Sequence, residues 1–495
     1  MIIIASPTPS ATPDGSELSP YSLPAALALA KPGDTVMLRG VFHEVLTLSK
    51  TYTSASPLTV RAHPDGATID GQFKLPAMPA DLGQTQTAPD GTKANYKPLV
   101  SVTGKFINVD GLVICNSQGR GIGVSNTSNV NLSNLTVEWS RNAGVHLHTV
   151  QNVVLYRVVN RHAGCYYQAL RDPNLYNWPV AFNVLYSKNV RIEECESSDN
   201  WGEGLSLGRG TADSTVTRST LSNNMALQLY LHRSERCQAV GNLVYCDGSG
   251  FISPGIVINN EDNFTGTVAN HILVANNIIA GCAHNLGVWG NEASGATSQA
   301  IDFLLNTSVN SRDGGLLLRA RGARGVRVIG NLFYEKVGPT AILDGAPVEC
   351  TFERNAWLGQ QPPASARSAS DLTGVELVNA DSVIAPVAYS TKAEAGIGAI
   401  DGAPEVDFYN RQRKAWTVGA IEFAAAVVEP PVILPPEPPE PPTLNETVEL
   451  TLAIDLAPAL ALALREAVAA GKLRVSVNTG GVTVAGAVED DDDSW

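Results

Sequence analysis

The sequence predicts an all-β chain built as a right-handed parallel β-helix, a solenoid, followed by a Pro-rich linker and a small C-terminal α+β module. Three observations predict it. Nine segments between about Gly121 and Leu358 resemble one another, and their uninterrupted steps are 22 or 23 residues. Apolar residues within them alternate with period two, the period of a strand with one buried face. The connections between them carry Gly, Asn, Asp and Ser, the residues of sharp turns. A unit this short cannot bury its own apolar face and must stack on its neighbours.

The leading strands are Ile122–Val124, Val145–Leu147, Phe182–Val184, Leu205–Leu207, Leu227–Leu229, Ile256–Ile258, Leu286–Val288, Leu316–Leu318 and Ala341–Leu343. Residues Ser133–Leu135, Gly241–Leu243, Asn276–Ile278 and Gly330–Leu332 align as second strands, each with an Asn before an inward aliphatic residue. Asn tolerates the left-handed backbone of a tight turn and bonds to nearby polar groups. Stacked from coil to coil, these residues are expected to form a structural amide ladder. About fourteen extra residues, Gly164 to Pro179, interrupt the second coil, with further loops at Asp247–Pro254, Glu261–Thr267 and Asn291–Gln299. Insertions leave a solenoid stack and shape one face.

Residues 1–120 read as an N-terminal capping region with the first coils. Ser22–Ala30 is helical in propensity, with Ser22 as N-cap and Pro24 in the first turn, placed to cover the open end of the stack. Strands are expected at Thr35–Leu38, Val45–Leu48, Leu58–Ala62 and Thr68–Asp70, and a polar loop over 74–98. Residues 121–360 are the regular helix and 361–424 its C-terminal end. Residues 425–444 are a stiff polyproline spacer. Residues 445–488 form a β-α-β-β module too short for a sizeable core, and 489–495 an acidic tail.

Net charge is −14 with 17% charged residues, which argues against nucleic acid as the partner. No apolar run reaches the 18 residues of a membrane-spanning helix, so no membrane insertion is expected. Met1–Ile4 lacks a basic leader and reads as a first strand rather than a signal peptide. The seven cysteines show no CxxC spacing and mostly occupy apolar strand positions, where they read as buried thiols.

With Val145, Leu147, Leu205, Leu207, Leu227 and Leu229 inside, the outward residues are His146, His148, Asn183, Ser206, Gln228, Tyr230, His232, Asn259, Glu261, Trp289 and Arg319. Aromatic faces and dense polar side chains suit an extended glycan, and this stripe is the expected substrate-binding surface; a solvated sheet face is the plainer reading. A second cluster, Asp199, Asn200, Trp201 and Glu203, lies in the turn before the Leu205 strand. Asp199 and Glu203 are the candidate catalytic pair, provided their environments separate their pKa values; a turn with a packed Trp is the alternative. A metal on His146, His148 and His232 is weighed and not adopted, and no cofactor is expected.

The chain resembles the right-handed parallel β-helix proteins of the pectate-lyase-like superfamily over about residues 1–423. The carriers are Ala25–Arg39, the coils, Asn200–Gly204, the Gly-Asn-Leu turns and Val418–Phe423. The resemblance implies the architecture. That superfamily holds polysaccharide lyases, glycoside hydrolases, phage tailspikes and adhesins, and the calcium-and-arginine site of pectate lyases and the paired aspartates of polygalacturonases find no match here. The function expected is recognition of an extended glycan by a protein displayed on a virion or extracellular surface, tailspike-like, with residues 446–488 mediating self-association or attachment to a larger particle. A polysaccharide lyase or glycoside hydrolase is the alternative, and a purely structural spike the third reading.

Overall fold

The structure, a computed structural model, describes residues 1–72, 97–165, 179–248, 250–259, 269–289, 298–319, 323–344, 349–375, 377, 396–414 and 416–422, and the backbone of two strands at 473–478 and 481–486. It divides into two units, Met1–Glu437 and Pro438–Trp495. The first is a solenoid in which each named strand pairs in parallel with its equivalents one coil away. One coil reads Phe182–Leu185, Lys188–Glu193 and Glu196–Ser198; the next reads Glu203–Gly208, Thr215–Thr217 and Thr220–Ser222. Three sheets therefore run along the axis. The first has rungs at Leu46, Val100, Ile122, Val145, Phe182, Leu205, Leu229, Ile256, Leu286, Leu316 and Ala341.

The core follows from the alternation. One inward column runs Val145, Phe182, Leu205, Leu229, Ile256, Leu286 and Leu316, and a second Leu147, Val184, Leu207, Leu231, Ile258, Val288 and Leu318. All of these side chains are buried. Each such burial removes enough apolar surface to contribute about 1.5–3 kcal/mol. The α-helix Leu23–Leu29 has Ser22 at its N-cap without a side-chain cap bond, and buries Leu23 and Ala26 in the same core as Ile3 and Val36. Lys50 Nζ donates to the Leu27 and Ala28 carbonyls at 2.8 Å, meeting the helix C-terminus with a cation. The strands expected at 58–62 and 68–70 are one strand, Leu58–Asp70.

Two details of register differ from the sequence reading. Leu205 pairs with Leu229 rather than Leu227. The run Leu227, Leu229, Leu231 offers three alternating leucines, and only the last two enter the main core; Leu227 lies in a separate cluster with Tyr230 and Val257. Gln228 correspondingly is not outward: it is fully buried, donating to Ser253 Oγ at 2.7 Å and accepting from Asn224 Nδ2 at 2.8 Å. The cause is the corner that joins the third sheet to the first. Parity breaks there, because the chain turns while two successive residues face inward. Most coils place a small residue at this point. A Cβ on Gly204 would lie 2.4 Å from Asn224 Nδ2, and one on Gly144 2.1 Å from Asn160 Oδ1. Gln228 and Asn285 fill the same corner with amides of their own.

The amide ladder exists, shifted by one position from part of the alignment. Asn242, Asn277, Asn306, Asn331 and Asn355 stack in order, each Oδ1 accepting the backbone N–H of the preceding rung at 2.9–3.0 Å from Asn242 onward. Asn134 belongs one residue earlier, in the column of Asn276, Gly241 and Gly330, all with φ between 52° and 69°. In the coils before Asn242 the ladder position holds Ser219 and Cys195, which accept the same bond through Oγ and Sγ. Five of the seven cysteines are buried, and all are free thiols.

In the second unit, Leu473–Asn478 and Gly481–Gly486 pair antiparallel, with Asn478 opposite Gly481, as two of the strands of the expected module. The helix and first strand of the expected β-α-β-β module, the Pro-rich spacer and the acidic tail lie outside the described residues, as do most of the 74–98 and 164–179 segments.

Candidate functional site

Two columns of side chains leave the outer face of the first sheet. One carries His146, Asn183, Ser206, Tyr230 and Val257 in successive rungs, and the other His148, Leu185, Gly208, His232 and Asn259. Trp289 follows Asn259, its backbone N–H donating to the Ile258 carbonyl at 2.9 Å, and Arg319 stands one rung beyond, with Asp344 as its Cα partner in the next coil. The outward assignment therefore holds for His146, His148, Asn183, Ser206, Tyr230, His232, Asn259, Trp289 and Arg319. Glu261 lies outside the described residues.

This face is not an open, solvated stripe. His146 is 5% exposed, Tyr230 3%, His232 7% and Asn259 3%. The rings associate along it. His146 stacks on His148 with centroids 6.0 Å apart, His148 meets Tyr186 edge-on at 5.5 Å, and Tyr230 stacks on His232 at 5.1 Å. Tyr230 also packs with Leu227 and Val257, and Trp289 against that group. Burial, then the nearby Arg120 and His148, push the His146 imidazole down to about 3, so it is neutral at physiological pH. The open part of the face is Tyr186, which is exposed, with half-buried His148 and Trp289 and exposed Arg319. Tyr186 was not singled out in the sequence; it follows Leu185 at a turn with φ 51°.

His148 and His232 share one column but stand three rungs apart, with Leu185 and Gly208 between them. At about 4.8 Å per rung that is roughly 14 Å, too far for both to ligate one ion. Among the described residues no group of three His, Cys, Asp or Glu side chains is placed to hold a metal.

The second cluster separates on folding. Trp201 sits in the corner, 2% exposed, edge-on to Phe251 at 5.5 Å. Asn200 is wholly internal and donates to Asn224 Oδ1 at 2.8 Å and Ser197 Oγ at 3.1 Å. Asp199 follows the third-sheet strand Glu196–Ser198, in a turn column of positive φ with Trp139, His162 and Asn223. Glu203 opens a first-sheet strand and pairs with Leu227. The two carboxylates thus stand at opposite ends of the corner, one after a third-sheet strand and one opening a first-sheet strand.

Two of the residues around Asp199, Trp139 and His162, were not singled out in the sequence. Trp139 stacks on His162 with centroids 4.1 Å apart, and Trp139 is 39% exposed. Burial raises the Asp199 pKa, opposed by His162 and Arg161 and assisted by the Asp247 and Glu196 carboxylates. Arg161 holds Glu196 with two bonds of 2.8 and 3.0 Å. The signal for Trp139 and His162 was present: they lie one repeat length apart, at the same turn position.

A match to a family model decides the hand of the solenoid. Residues 99–265 match the family described as the right handed beta helix region. These coils are a right-handed β-helix. The fold is the one the resemblance to the pectate-lyase-like superfamily implied. Among solved structures the chain is similar to pectate lyase Pel9A, at 14% identity over 85% of this chain and 96% of that one, with a TM-score of 0.46. It is also similar to XylC in complex with xylose, at 9% identity over 85% and 98% with a TM-score of 0.48, and to an alginate lyase from Paenibacillus sp. str. FPU-7, at 14% over 66% and 96% with a TM-score of 0.42. No curated protein matches the sequence.

Proposed function

We propose that the chain recognises an extended glycan along the outer face of its first sheet. The observation that carries this reading is two groups of rings on one face, Tyr186 with His148 and, three rungs on, His232 with Tyr230 and Trp289. Imidazole and aromatic ring faces bind sugars without demanding a charged ligand, and parallel rungs repeat the contact along a chain. Display on a virion or extracellular surface is part of the proposal, with residues 446–488 as the segment for self-association or attachment; light scattering on the chain with and without these residues tests that part, and equal masses would remove it.

The binding test is a glycan array with Trp289→Ala and His148→Ala, both at partly open positions. Each is expected to weaken binding by about 1–3 kcal/mol if it is an anchor. Tyr230 is unsuitable as a probe, because its packed ring makes Tyr230→Ala a stability change as well. Binding unchanged in both variants moves the site off this face.

A specific observation favours catalysis as a second reading. The Asp199 carboxyl, raised by burial and flanked by Asp247, His162 and an exposed Trp139, has the ingredients of an acid–base group beside a sugar-stacking ring. On this reading the protein is a polysaccharide lyase or glycoside hydrolase, and release of new reducing or unsaturated ends from a polysaccharide panel detects it.

A further inference from the structure

The second sheet carries a feature that the first-sheet reading does not use. A cleft of about 410 Å³ opens on its outer surface, with Asn129, Asn131, Asn152 and Asn189 in its lining. Phe106 supplies apolar surface and Arg191 a cation. The amides form two rows. Asn131 is the Cα partner of Asn108 and donates to its Oδ1 at 2.8 Å. In the turn beside it, Asn152 donates to Asn129 Oδ1 at 3.2 Å, and Asn189 donates to Asn152 Oδ1 at 2.7 Å.

A carboxamide offers two N–H donors and two carbonyl lone pairs. The ladder bonds consume one donor and one lone pair at an interior rung. Asn131, Asn152 and Asn189 are exposed, so the rest of their capacity meets solvent. This differs from the internal ladder at Asn242–Asn355, whose amides are wholly buried and spend themselves on backbone groups and on one another. The outer amides repeat at about 4.8 Å, close to the advance of one sugar unit along an extended chain. Each can donate to one hydroxyl and accept from its neighbour, the pattern that reads vicinal diols. No carboxylate lines the cleft, and Arg191, the one cation there, is already held by Glu193 at 2.7 Å.

We propose that this amide-lined cleft between Phe106 and Arg191 is a second binding site, for a neutral polyhydroxylated chain lying along the solenoid axis. The hydroxyls meet the free amide valences and the less polar ring edge meets Phe106. Arg191, occupied by Glu193, is a margin of the site and does not select for acidic sugars.

The test is isothermal titration calorimetry of the full chain with cellohexaose and, separately, with hexagalacturonate. Asn152 and Asn189 have φ of 55° and 54°, which glycine adopts freely, so Asn152→Gly/Asn189→Gly removes two amides while keeping the turns. Saturable binding of cellohexaose, weakened at least tenfold in the double variant, is the expected result. If melting shows that the double variant has lost its fold, Asn131→Ala carries the same test from an extended strand position, with a weakening of several-fold expected. Absence of saturable cellohexaose binding overturns the proposal, and so does binding that the amide substitutions leave unchanged. Binding of hexagalacturonate alone, abolished by Arg191→Ala, also overturns it, since the cleft would then be an anion site.

Discussion

Asn277 donates its side-chain amide to Asn306 Oδ1 at 2.9 Å, across one coil boundary, and both side chains are fully buried. The same Oδ1 accepts the Asn277 backbone N–H at 3.0 Å, while Asn306 Nδ2 reaches the Val274 carbonyl at 2.9 Å. One side chain thus accepts from two buried donors of Asn277, its backbone N–H and its side-chain amide, and adds a bond to a strand carbonyl. Asn306→Ala orphans both of those Asn277 donors. At about 1–3 kcal/mol for each buried unpaired group, a loss of roughly 2–4 kcal/mol is expected. Chemical denaturation measures it, and a loss below about 1 kcal/mol would show that water or a shifted backbone replaces the amide.

The corrected register makes its own prediction. Leu207 and Leu231 are Cα partners and both fully buried. Leu231→Asp should therefore be as damaging as Leu207→Asp, each by more than about 4 kcal/mol, because an unpaired carboxylate enters the apolar stack. Gln228→Ala should also destabilise, since Asn224 and Ser253 each lose a bonding partner. A Gln228→Ala protein with unaltered thermal unfolding contradicts the inward corner.

These two cases show what the sequence can and cannot announce. Period two is a strand property, and it revealed the inward columns of Leu205 and Leu207 without ambiguity. It says nothing at a corner, where Gln228 and Leu229 face the same way. The Asn ladder was legible where the letters repeat, as at Asn242, Asn277 and Asn331. It was not legible where Ser219 and Cys195 do the same bonding with other atoms. For the candidate site, the outward direction of Tyr230 and His232 was readable, but their burial depends on what packs over the face, which strand period does not encode. Asp199 and Glu203 are close in sequence and stand at opposite ends of the corner, since four residues suffice to round it.

If the protein is an enzyme, the separation of those two carboxylates gives them unequal weight. Asp199→Asn is expected to abolish turnover on a polysaccharide substrate while leaving binding intact, because it removes the proton-transferring group and keeps the shape. Glu203→Gln tests the first-sheet side of the corner in the same assay. Product release that is unchanged in both variants takes this turn out of any mechanism.

The last prediction concerns Glu335, a carboxylic acid with no exposed surface at the inner corner of the final coils. Its Oε2 accepts the Ser311 N–H at 2.6 Å. Burial pushes its pKa up from 4.5 to about 8, against the smaller opposing pull of hydrogen bonds from Ser311 and Ser308. The folded state therefore keeps a proton that the unfolded chain gives up above about pH 4.5. Between that pH and about 8 the unfolded state binds fewer protons, so stability falls as pH rises, and the effect levels off above the folded pKa. Glu335→Gln holds a neutral group of similar shape in the same place and should lack this slope. The difference in unfolding free energy between the variant and the native chain should be smallest near pH 4 and favour the variant by roughly 3–5 kcal/mol near pH 9. Taking the difference cancels the titration of every group the two proteins share. A difference that stays constant from pH 4 to 9 would mean that Glu335 ionises in the fold as readily as in water, and that its corner admits solvent or a cation.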